Sequence, residues 1–394
     1  MKPSKRLGAL SSAVFTEMNK RKRALETKGM QVIDLGIGSP DQPPAAHLIQ
    51  TLVQAVQDPA CYRYPTSEGS MEFRKTVADW YDHRFGVKLH AEEEVLSLMG
   101  SQDGLAHMAL AWIDEGDVVL VPDPGYPIYA ASVTLAGGKI YTMPLTAENS
   151  FLPDLECIPA DIRRRAKLMV LNYPNNPLAA TADRDFFQKV VSFAKEHDII
   201  VAHDMAYSEL AFDGYKPASF LEVEGAKEIG IEFNSLSKSF NLAGCRIAYV
   251  VGNAGIIRPL TVVKSNIDYG VFLAVQQVAI EAMRSDMSGA FSNPVAHIYE
   301  ARRNVLLGGL AELGWNVDKP KATMFVWAKI PQGWSSSDFA FALLERAGVV
   351  VIPGNAFGQQ GEGYVRIALV EGEEVLEEAV RRIGESGILK SRAL

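Results

Sequence analysis

Short apolar runs alternate with amphipathic segments through the middle of the chain. Strands are predicted over DVVLVPDPGYP, AKLMVLNYPNNP, DIIVAHDMAY, EIGIEFNSLSK and CRIAYVVGN, because each contains a short apolar stretch ended by turn residues. Helices are predicted over TVADWYDHRFG, GLAHMALAWID and FFQKVVSFAKEH. Apolar strands separated by helices are typical of a mostly parallel sheet with both faces covered. The pattern therefore predicts an α/β fold.

The pattern changes after about residue 285. Helices are predicted over NPVAHIYEARRNVLLGGLAELG and SSDFAFALLERAG, and strands over ATMFVWAKI and YVRIALV. This mixture predicts a small α+β domain over residues 286–394, following a large domain over residues 41–285. Residues 1–40 are too few to form a domain, and we expect them to pack on the small domain or on a partner chain.

The composition argues against several classes of protein. Of the 394 residues 48% are hydrophobic, which is enough for two domain cores. Lys and Arg number 39 against 47 acidic residues, a net charge of −8, and we expect no nucleic-acid partner. The basic segment near the start includes Glu17 and Glu26, which favours a solvated helix face.

Cysteine spacing and hydropathy bear on the location of the protein. The three cysteines lie far apart without a CxxC partner, so neither a disulfide framework nor a metal site is expected. The start of the sequence has no apolar leader, and no run of 18 apolar residues occurs. We therefore expect a cytoplasmic protein that does not enter a membrane.

Chemically active side chains follow four of the predicted strands. In chain order they are Tyr126, then Asn175 and Asn176, then Asp204 and Tyr207, and finally Ser235, Ser237 and Lys238. Considered alone, Lys238 is more simply explained as a surface lysine, and Asp204 as a turn or capping residue. Ligands of open α/β sheets, however, bind beyond the carboxyl ends of the strands. The four strand ends together therefore predict a site.

A second feature opens the helix at GLAHMALAWID. Gly100 and Gly104 flank Ser101, Gln102 and Asp103 where that helix is predicted to begin. A helix N-terminus with small residues before it suits a phosphate, although an ordinary Ser N-cap is the alternative. Further phosphate donors are available from Ser235, Ser237 and Arg246.

One ligand uses all of these groups, namely pyridoxal 5′-phosphate (PLP). Lys238 would bond its aldehyde, and Asp204 would keep its pyridine nitrogen protonated. The other side chains divide into ring contacts (Tyr126, Asn176 and Tyr207) and phosphate ligands (Ser101, Gln102, Ser235, Ser237 and Arg246). The sequence thus predicts a PLP enzyme.

These residues also carry a resemblance to a known family. The chain resembles the class I/II aminotransferases of PLP fold type I almost from end to end. The likeness rests on LGIGSPDQPP, YRYPTSEGSMEFR, GSQDGLAH, VPDPGYPIY, NYPNNP, DMAYSEL, SLSKSFNLAGCRIAYVVG and YVRIAL. It implies a large domain with a mostly parallel seven-stranded sheet sandwiched by helices, plus a smaller α+β domain.

The resemblance also implies roles for three further residues. Arg366 matches the arginine that binds the substrate α-carboxylate, although a surface salt bridge would explain it from sequence alone. Gly38 matches a backbone contact to the same carboxylate, and Asn176 is placed in the substrate site as well. Tyr64 matches a tyrosine that reaches the phosphate of the other subunit, which implies a homodimer with shared active sites.

Within the family, the chain is most similar to bacterial LL-diaminopimelate aminotransferase-like enzymes. VIDLGIGSPD, DVVLVPDPGYPIY, FLPDLECIP and KSNIDYGVF carry this likeness. The sequence departs from the family pattern in three places: Leu178–Ala179 replaces Thr-Gly, Gln102–Asp103 replaces a lysine-containing pair, and Cys245 replaces Trp. The departures bear on the substrate, which would be LL-diaminopimelate or a related amino acid such as Asp, Ala or Glu.

The implied reaction is ping-pong transfer of an amino group between an L-amino acid and a 2-oxo acid. Lys238, Asp204 and Tyr207 would act in catalysis, with Lys238 as the base. A PLP-dependent C–S β-lyase would use the same lysine and aspartate and stays open as an alternative. A PLP-sensing regulatory module is a second alternative, but the chain has no spare N-terminal domain and no basic recognition helix.

Overall fold

The computed structural model of the protein describes residues 2, 4–10, 13–290 and 294–390. The α-helices are α1 Ala13–Thr27, α2 Ala46–Ala55, α3 Met71–Phe85, α4 Ser101–Trp112, α5 Ile128–Ala136, α6 Ala160–Arg163, α7 Arg184–His197, α8 Ala226–Ile229, α9 Leu236–Ser239, α10 Ala254–Ile267, α11 Leu273–Met287, α12 Val295–Glu312, α13 Ser336–Ala347 and α14 Glu373–Glu385. Helix α12 begins at Val295, and Asn293, where it was predicted to begin, lies outside the described residues.

The strands are short and spread over the whole chain. They are β1 Ile33–Asp34, β2 Val95–Leu98, β3 Val118–Asp123, β4 Lys139–Pro144, β5 Ala166–Asn172, β6 Ile200–Asp204, β7 Gly230–Ser235, β8 Ala248–Gly252, β9 Phe325–Lys329, β10 Val349–Val350, β11 Ile352–Pro353 and β12 Tyr364–Ala368. Short 3₁₀ turns cover Lys5–Ala9, Pro59–Tyr62, Ala147–Asn149, Phe220–Glu222, Ala243–Cys245, Gly354–Phe357, Gln359–Gly361 and Ile388–Lys390.

Seven strands form the large sheet, in the order β2-β8-β7-β6-β5-β3-β4. Strand β8 runs antiparallel to both of its neighbours, and the remaining pairs are parallel. The predicted α/β fold with a mostly parallel seven-stranded sheet is therefore confirmed. Because β3, β5, β6 and β7 are parallel, their carboxyl ends open on the same edge of the sheet.

Helices cover both faces of this sheet. Along β5, Leu168 and Val170 pack with helices α4, α5 and α10, while Met169 and Leu171 pack with α3, α7 and α11. Successive strand residues point to opposite faces, so both neighbours in the chain must be apolar. This accounts for the continuous apolar runs that predicted the strands.

The remaining strands form two smaller sheets. Strands β11, β12 and β9 are antiparallel, and β1 pairs in parallel with β10. Their own core includes Leu306, Val326, Leu343 and Ile367, all of them buried. Ser335 caps α13 by accepting a hydrogen bond from the Asp338 amide, and Gly348 ends it with φ 66°. Helices packed on small, mainly antiparallel sheets are the α+β arrangement that the sequence predicted.

The N-terminal segment joins the small sheets. Strand β1 pairs with β10, and Met18 of α1 is buried in the same core as Leu343 of α13.

One predicted strand needs correction. CRIAYVVGN was expected to be extended from Cys245, but β8 begins at Ala248, because Cys245 ends a 3₁₀ turn and Arg246 is left-handed with φ 52°. Over the described ranges, no helix is both long and apolar enough to cross a bilayer.

Candidate active site

A cavity of about 590 Å³ lies at the carboxyl edge of the seven-stranded sheet. The strand-end residue Asn175 does not line it, because its side chain donates to the Asn172 carbonyl and accepts from the Leu178 amide. The walls do contain every residue predicted to bind cofactor or substrate except Tyr64. These are Gly38, Ser101, Gln102, Tyr126, Asn176, Asp204, Tyr207, Ser235, Ser237, Lys238, Arg246 and Arg366. The residues predicted from the four strand ends therefore share one cavity with Gly38 and Arg366, which the family resemblance implied and which lie 328 positions apart in the chain.

Lys238 projects into this cavity from the short helix α9, directly after β7. Its Nζ donates a hydrogen bond to the carbonyl oxygen of Gly38 at 2.6 Å. Burial, together with the nearby cations Arg366 and Arg246, lowers the pKa of Lys238 to about 8. Roughly a tenth of the amine is therefore neutral at pH 7, and a nucleophile or a proton acceptor must be in that form.

Asp204 ends β6 and is buried in the cavity wall. It accepts hydrogen bonds from the Tyr129 hydroxyl at 2.7 Å and from the Ala206 amide at 3.2 Å. Burial raises the pKa of Asp204, and these two hydrogen bonds oppose the rise. Neither partner is a cation. A buried carboxylate of this kind suits a ligand that brings a proton or a positive charge, such as a protonated pyridine nitrogen.

Tyr126 and Gln102 meet at one wall of the cavity. The Tyr126 hydroxyl donates to Gln102 Oε1 at 2.9 Å, and its ring packs edge-on against Tyr129 at 5.9 Å. Burial raises the pKa of Tyr126. The hydrogen bond occupies the Gln102 carbonyl and fixes the direction of the Tyr126 ring.

The first turn of α4 faces Arg246. Gly100 precedes the helix with φ 87°, and a Cβ atom there would come within 2.7 Å of Arg246 Cζ. Ser101 is the first helical residue, and the Ser235 hydroxyl caps α9 by accepting from the Ser237 amide at 3.2 Å. Free N–H groups, hydroxyls and a guanidinium thus share one end of the cavity, which is the donor set that a phosphate requires.

Arg366 comes from β12 of the small domain and is buried. Its Nη1 donates to Asn176 Oδ1 at 2.9 Å and its Nη2 to Gly36 O at 2.8 Å, while Nε has no partner. The guanidinium lies over the rings of Phe325 and Phe357, at 4.2 and 4.7 Å. Burial lowers the pKa of Arg366 to about 10, so it stays a cation at neutral pH. Because neither bonded partner is acidic, the cation has room for a carboxylate ligand.

Tyr207 lies between Asp204 and the small domain. It is buried, with its ring 5.8 Å from Phe325. Burial raises the pKa of Tyr207, which keeps the phenol protonated, and Arg366 opposes this rise. A protonated phenol at this position can donate a hydrogen bond to a ligand oxygen.

Among the cavity residues that were absent from the sequence prediction, Asn172 and Tyr129 support predicted ones through side-chain hydrogen bonds. Asn172, the last residue of β5, donates to Asp204 O at 2.8 Å and accepts from the Asn176 amide at 2.8 Å. It therefore links the turn that carries Asn176 to the end of β6. Tyr129, the second, supports Asp204. Its position three residues after Tyr126, in the first turn of α5, was the available signal.

Tyr64 does not line the cavity. Its side chain is 87% exposed and packs on Tyr269, with ring centroids 5.4 Å apart. Among the departures from the family pattern, Leu178 packs with Trp327 and Ile352, and Cys245 packs against the large core. Neither of the two lines the cavity.

The comparisons with known proteins point to one family. The family described as "Aminotransferase class I and II" matches residues 30–383. The LL-diaminopimelate aminotransferase of Moorella thermoacetica is 49% identical over 383 residues, covering 97% of this chain and 98% of its own. The enzyme of the same name from Syntrophobacter fumaroxidans is 50% identical over 380 residues, covering 96% of this chain and 97% of its own.

Solved structures agree with this result. Substrate-bound BacF from Bacillus subtilis is 39% identical with a TM-score of 0.92, covering 98% of this chain and 97% of its own. A probable N-succinyldiaminopimelate aminotransferase from Thermus thermophilus is 36% identical with a TM-score of 0.89, covering 95% of this chain and 100% of its own. The protein therefore belongs to the class I and II aminotransferases and is a PLP-dependent transaminase.

Proposed function

We propose that the protein transfers the amino group of LL-diaminopimelate to a 2-oxo acid, with PLP as cofactor. Relatives that are 45–50% identical over nearly the whole chain carry that name, which supports the choice of donor. The observation that carries the chemistry is the position of Lys238. Its amine, with a pKa of about 8, lies in the same cavity as buried Asp204 and as Arg366.

The substrate carboxylate is assigned to Arg366. The guanidinium has five N–H groups, and two of them are used by Asn176 and Gly36, so three remain for a ligand. Two parallel hydrogen bonds to the α-carboxylate would fix the orientation of the amino acid. The Cα–H bond would then face the cofactor and Lys238.

Lys238 is assigned the proton transfer. Bound PLP supplies a protonated ring that accepts the electron pair left when the Cα–H bond breaks. Lys238 would hold the cofactor through its aldehyde between turnovers, and its freed amine would take the Cα proton and return it on the cofactor side. A pKa of about 8 suits both directions of this transfer.

The remaining residues are assigned to hold the cofactor. Asp204, kept in place by Tyr129, would hold the proton on the ring nitrogen. Tyr126 would stack on the cofactor ring, and Tyr207 and Asn176 would form hydrogen bonds to the phenolic oxygen of that ring. The phosphate would be held by Ser101, Gln102, Ser235, Ser237 and Arg246.

We also propose a homodimer in which Tyr64 reaches the phosphate of the partner protomer. Tyr64 and Tyr269 form an exposed aromatic pair, and Tyr62 packs on Phe272 at 5.7 Å in a second one. Large exposed aromatic groups of this kind are common at protein interfaces. Solution scattering checks the assembly, and a Tyr64→Phe variant with unchanged cofactor affinity would contradict the role of Tyr64.

The organisation into parts is also a proposal. Residues 41–285 would form the PLP-binding domain and residues 286–394 the small domain, with residues 1–40 packing on the latter. The separate cores and the pairing of β1 with β10 support this division. The three unpaired cysteines support a reducing, cytoplasmic setting.

A panel of amino donors tests the proposal. The holoenzyme is assayed with LL-diaminopimelate, Asp, Ala, Glu and aromatic amino acids, each with 2-oxoglutarate or pyruvate as acceptor. The proposal requires that LL-diaminopimelate has the highest kcat/KM. A higher kcat/KM for another donor would overturn the substrate assignment, and turnover without an acceptor would favour the C–S β-lyase.

A further inference from the structure

A short segment crosses the active site from the small domain to the large one. We call residues 34–43 the strap. At its start, the Leu35 carbonyl accepts from the Ala368 amide at 2.7 Å, which joins the strap to the end of β12. At its far end, Pro43 O accepts a hydrogen bond from Asn241 at 3.4 Å. Between these points, residues 37–39 and 41–43 are exposed, so little apolar packing holds them.

The strap touches both proposed catalytic cations. Gly36 O accepts from Arg366 Nη2 at 2.8 Å, and Gly38 O accepts from Lys238 Nζ at 2.6 Å. Gly38 also lies close to the guanidinium, since a Cβ atom there would be 3.8 Å from Arg366 Nη2. The path of the strap therefore affects the direction of both side chains.

One ion pair fixes the outer part of the strap. Arg302 of α12 donates to both carboxylate oxygens of Asp41, at 2.7 and 2.8 Å, and its Nη1 also donates to Leu369 O at 3.0 Å. The Arg302 side chain is 6% exposed. A buried guanidinium held in this bidentate way fixes its partner in direction as well as in distance.

A further carboxylate, that of Glu371, acts electrostatically on both members of this pair. Burial would raise the pKa of Asp41, but the hydrogen bonds from Arg302 and Gln42 outweigh it and hold the pKa below its usual range. Tyr299 faces the same carboxylate with its hydroxyl at 3.5 Å. Asp41 is therefore the ionised partner that buried Arg302 needs at neutral pH.

From these contacts we infer that the Asp41–Arg302 pair is a positioning device for the transamination reaction. Arg302 connects the strap to the end of β12, the strand that carries Arg366. The pair thereby holds Gly36 and Gly38 against Arg366 and Lys238, so that the carboxylate site and the base keep their relative positions. Neither Asp41 nor Arg302 lines the cavity. The inference rests on the roles proposed above for Arg366 and Lys238.

The neighbouring arginine on the same helix offers a matched control. Arg303 donates to Asp213 at 2.8 and 3.2 Å and is fully buried, but Asp213 lies away from the strap. Asp41→Asn and Asp213→Asn each remove the charge of a carboxylate that pairs with a buried arginine of α12. Asp213 also pairs with Lys319 at 3.1 Å, and Arg303 also has Glu300 at 3.6 Å. Only Asp41→Asn removes the anchor of the strap.

Steady-state kinetics of the holoenzyme tests the inference. For Asp41→Asn we expect the KM of the amino donor to rise by about tenfold, which corresponds to the loss of about one charged hydrogen bond. We expect kcat to change far less. Asp213→Asn is expected to lower the Tm but to leave KM unchanged. Asp41→Asn/Arg302→Gln should be no worse than the poorer single variant, because both changes remove the same contact.

A second measurement does not depend on turnover. Hydrogen exchange in the apoenzyme should become faster in the peptide that covers the strap for Asp41→Asn, and not for Asp213→Asn. If Asp41→Asn does not fold, Asp41→Glu keeps the charge and displaces the carboxylate, and it carries the same expectations in weaker form.

The outcomes separate the two claims. An unchanged donor KM and unchanged strap exchange in the Asp41 variant, in an enzyme whose wild type transaminates, would overturn the positioning role alone. An equal rise of KM in Asp213→Asn would also overturn it, because the effect would then be structural. A wild type that transaminates no donor in the panel would overturn the proposed function instead.

Discussion

Replacing Arg366 with Lys tests how the site recognises the substrate carboxylate. The guanidinium uses one N–H for Asn176 and one for Gly36, which leaves three for a ligand. A lysine ammonium has only three N–H groups in total. If it keeps both protein contacts, one remains for the substrate, so the paired carboxylate contact becomes a single one.

The size of the effect follows from this count. A hydrogen bond to a charged group contributes about 1.5–3 kcal/mol. Since each 1.4 kcal/mol is about tenfold in affinity, we expect KM to rise roughly 10- to 100-fold for both the amino donor and the oxo acid. Arg366→Ala should cost more, because it also leaves Asn176 Oδ1 and Gly36 O without their donor inside the protein.

The assay compares substrate binding with cofactor binding. KM values for donor and acceptor are measured by steady-state kinetics, and cofactor affinity by titration of the apoenzyme with PLP. Arg246→Lys serves as the contrast, because it should weaken cofactor binding more than it affects KM. The reasoning is refuted if Arg366→Lys leaves both KM values unchanged, or if it weakens cofactor binding by the same factor as it raises KM.

Three further predictions concern the cofactor. Lys238→Ala should abolish turnover and the visible absorption of bound cofactor, and a variant that keeps both would show that Lys238 is misassigned. The rate at which the apoenzyme takes up PLP should rise with pH through about 8, because only the neutral amine of Lys238 attacks the aldehyde; a flat stopped-flow profile between pH 6 and about 9 would contradict this. Gly100→Ala should weaken PLP binding about 10- to 100-fold in apoenzyme titrations, since the added Cβ displaces Arg246 from the phosphate site, and wild-type affinity would contradict that reading.

The sequence was most informative where local pattern decides the structure. Asp204 and Lys238 were predicted because each follows an apolar strand, and parallel strands bring their carboxyl ends to one edge of the sheet. The same rule extends to Asn172, the last residue of β5, which contacts Asp204 rather than a ligand. A strand-end position shows that a residue is near the site, but not which neighbour it contacts.

Long-range contacts were not readable from periodicity. Asp41 and Arg302 are 261 residues apart, and no local pattern pairs a loop aspartate with one of two adjacent arginines on a helix. Arg366 was assigned through the family resemblance, and its position between Asn176 and the strap depends on how two domains pack. The strand predicted from Cys245 begins only at Ala248, because Arg246 has a left-handed backbone. Hydropathy gives no indication of that conformation.

The central claim is that an amino group is transferred in two separate half-reactions, with Lys238 transferring the proton in each. Its most direct test mixes the holoenzyme with LL-diaminopimelate in the absence of any oxo acid and follows the cofactor spectrum and the released products. The account predicts a single stoichiometric burst of oxo product, conversion of the cofactor to its amine form, and restoration of the aldehyde form when 2-oxoglutarate is added. Continuous release of ammonia without an acceptor, or the same burst from Lys238→Ala, would contradict it.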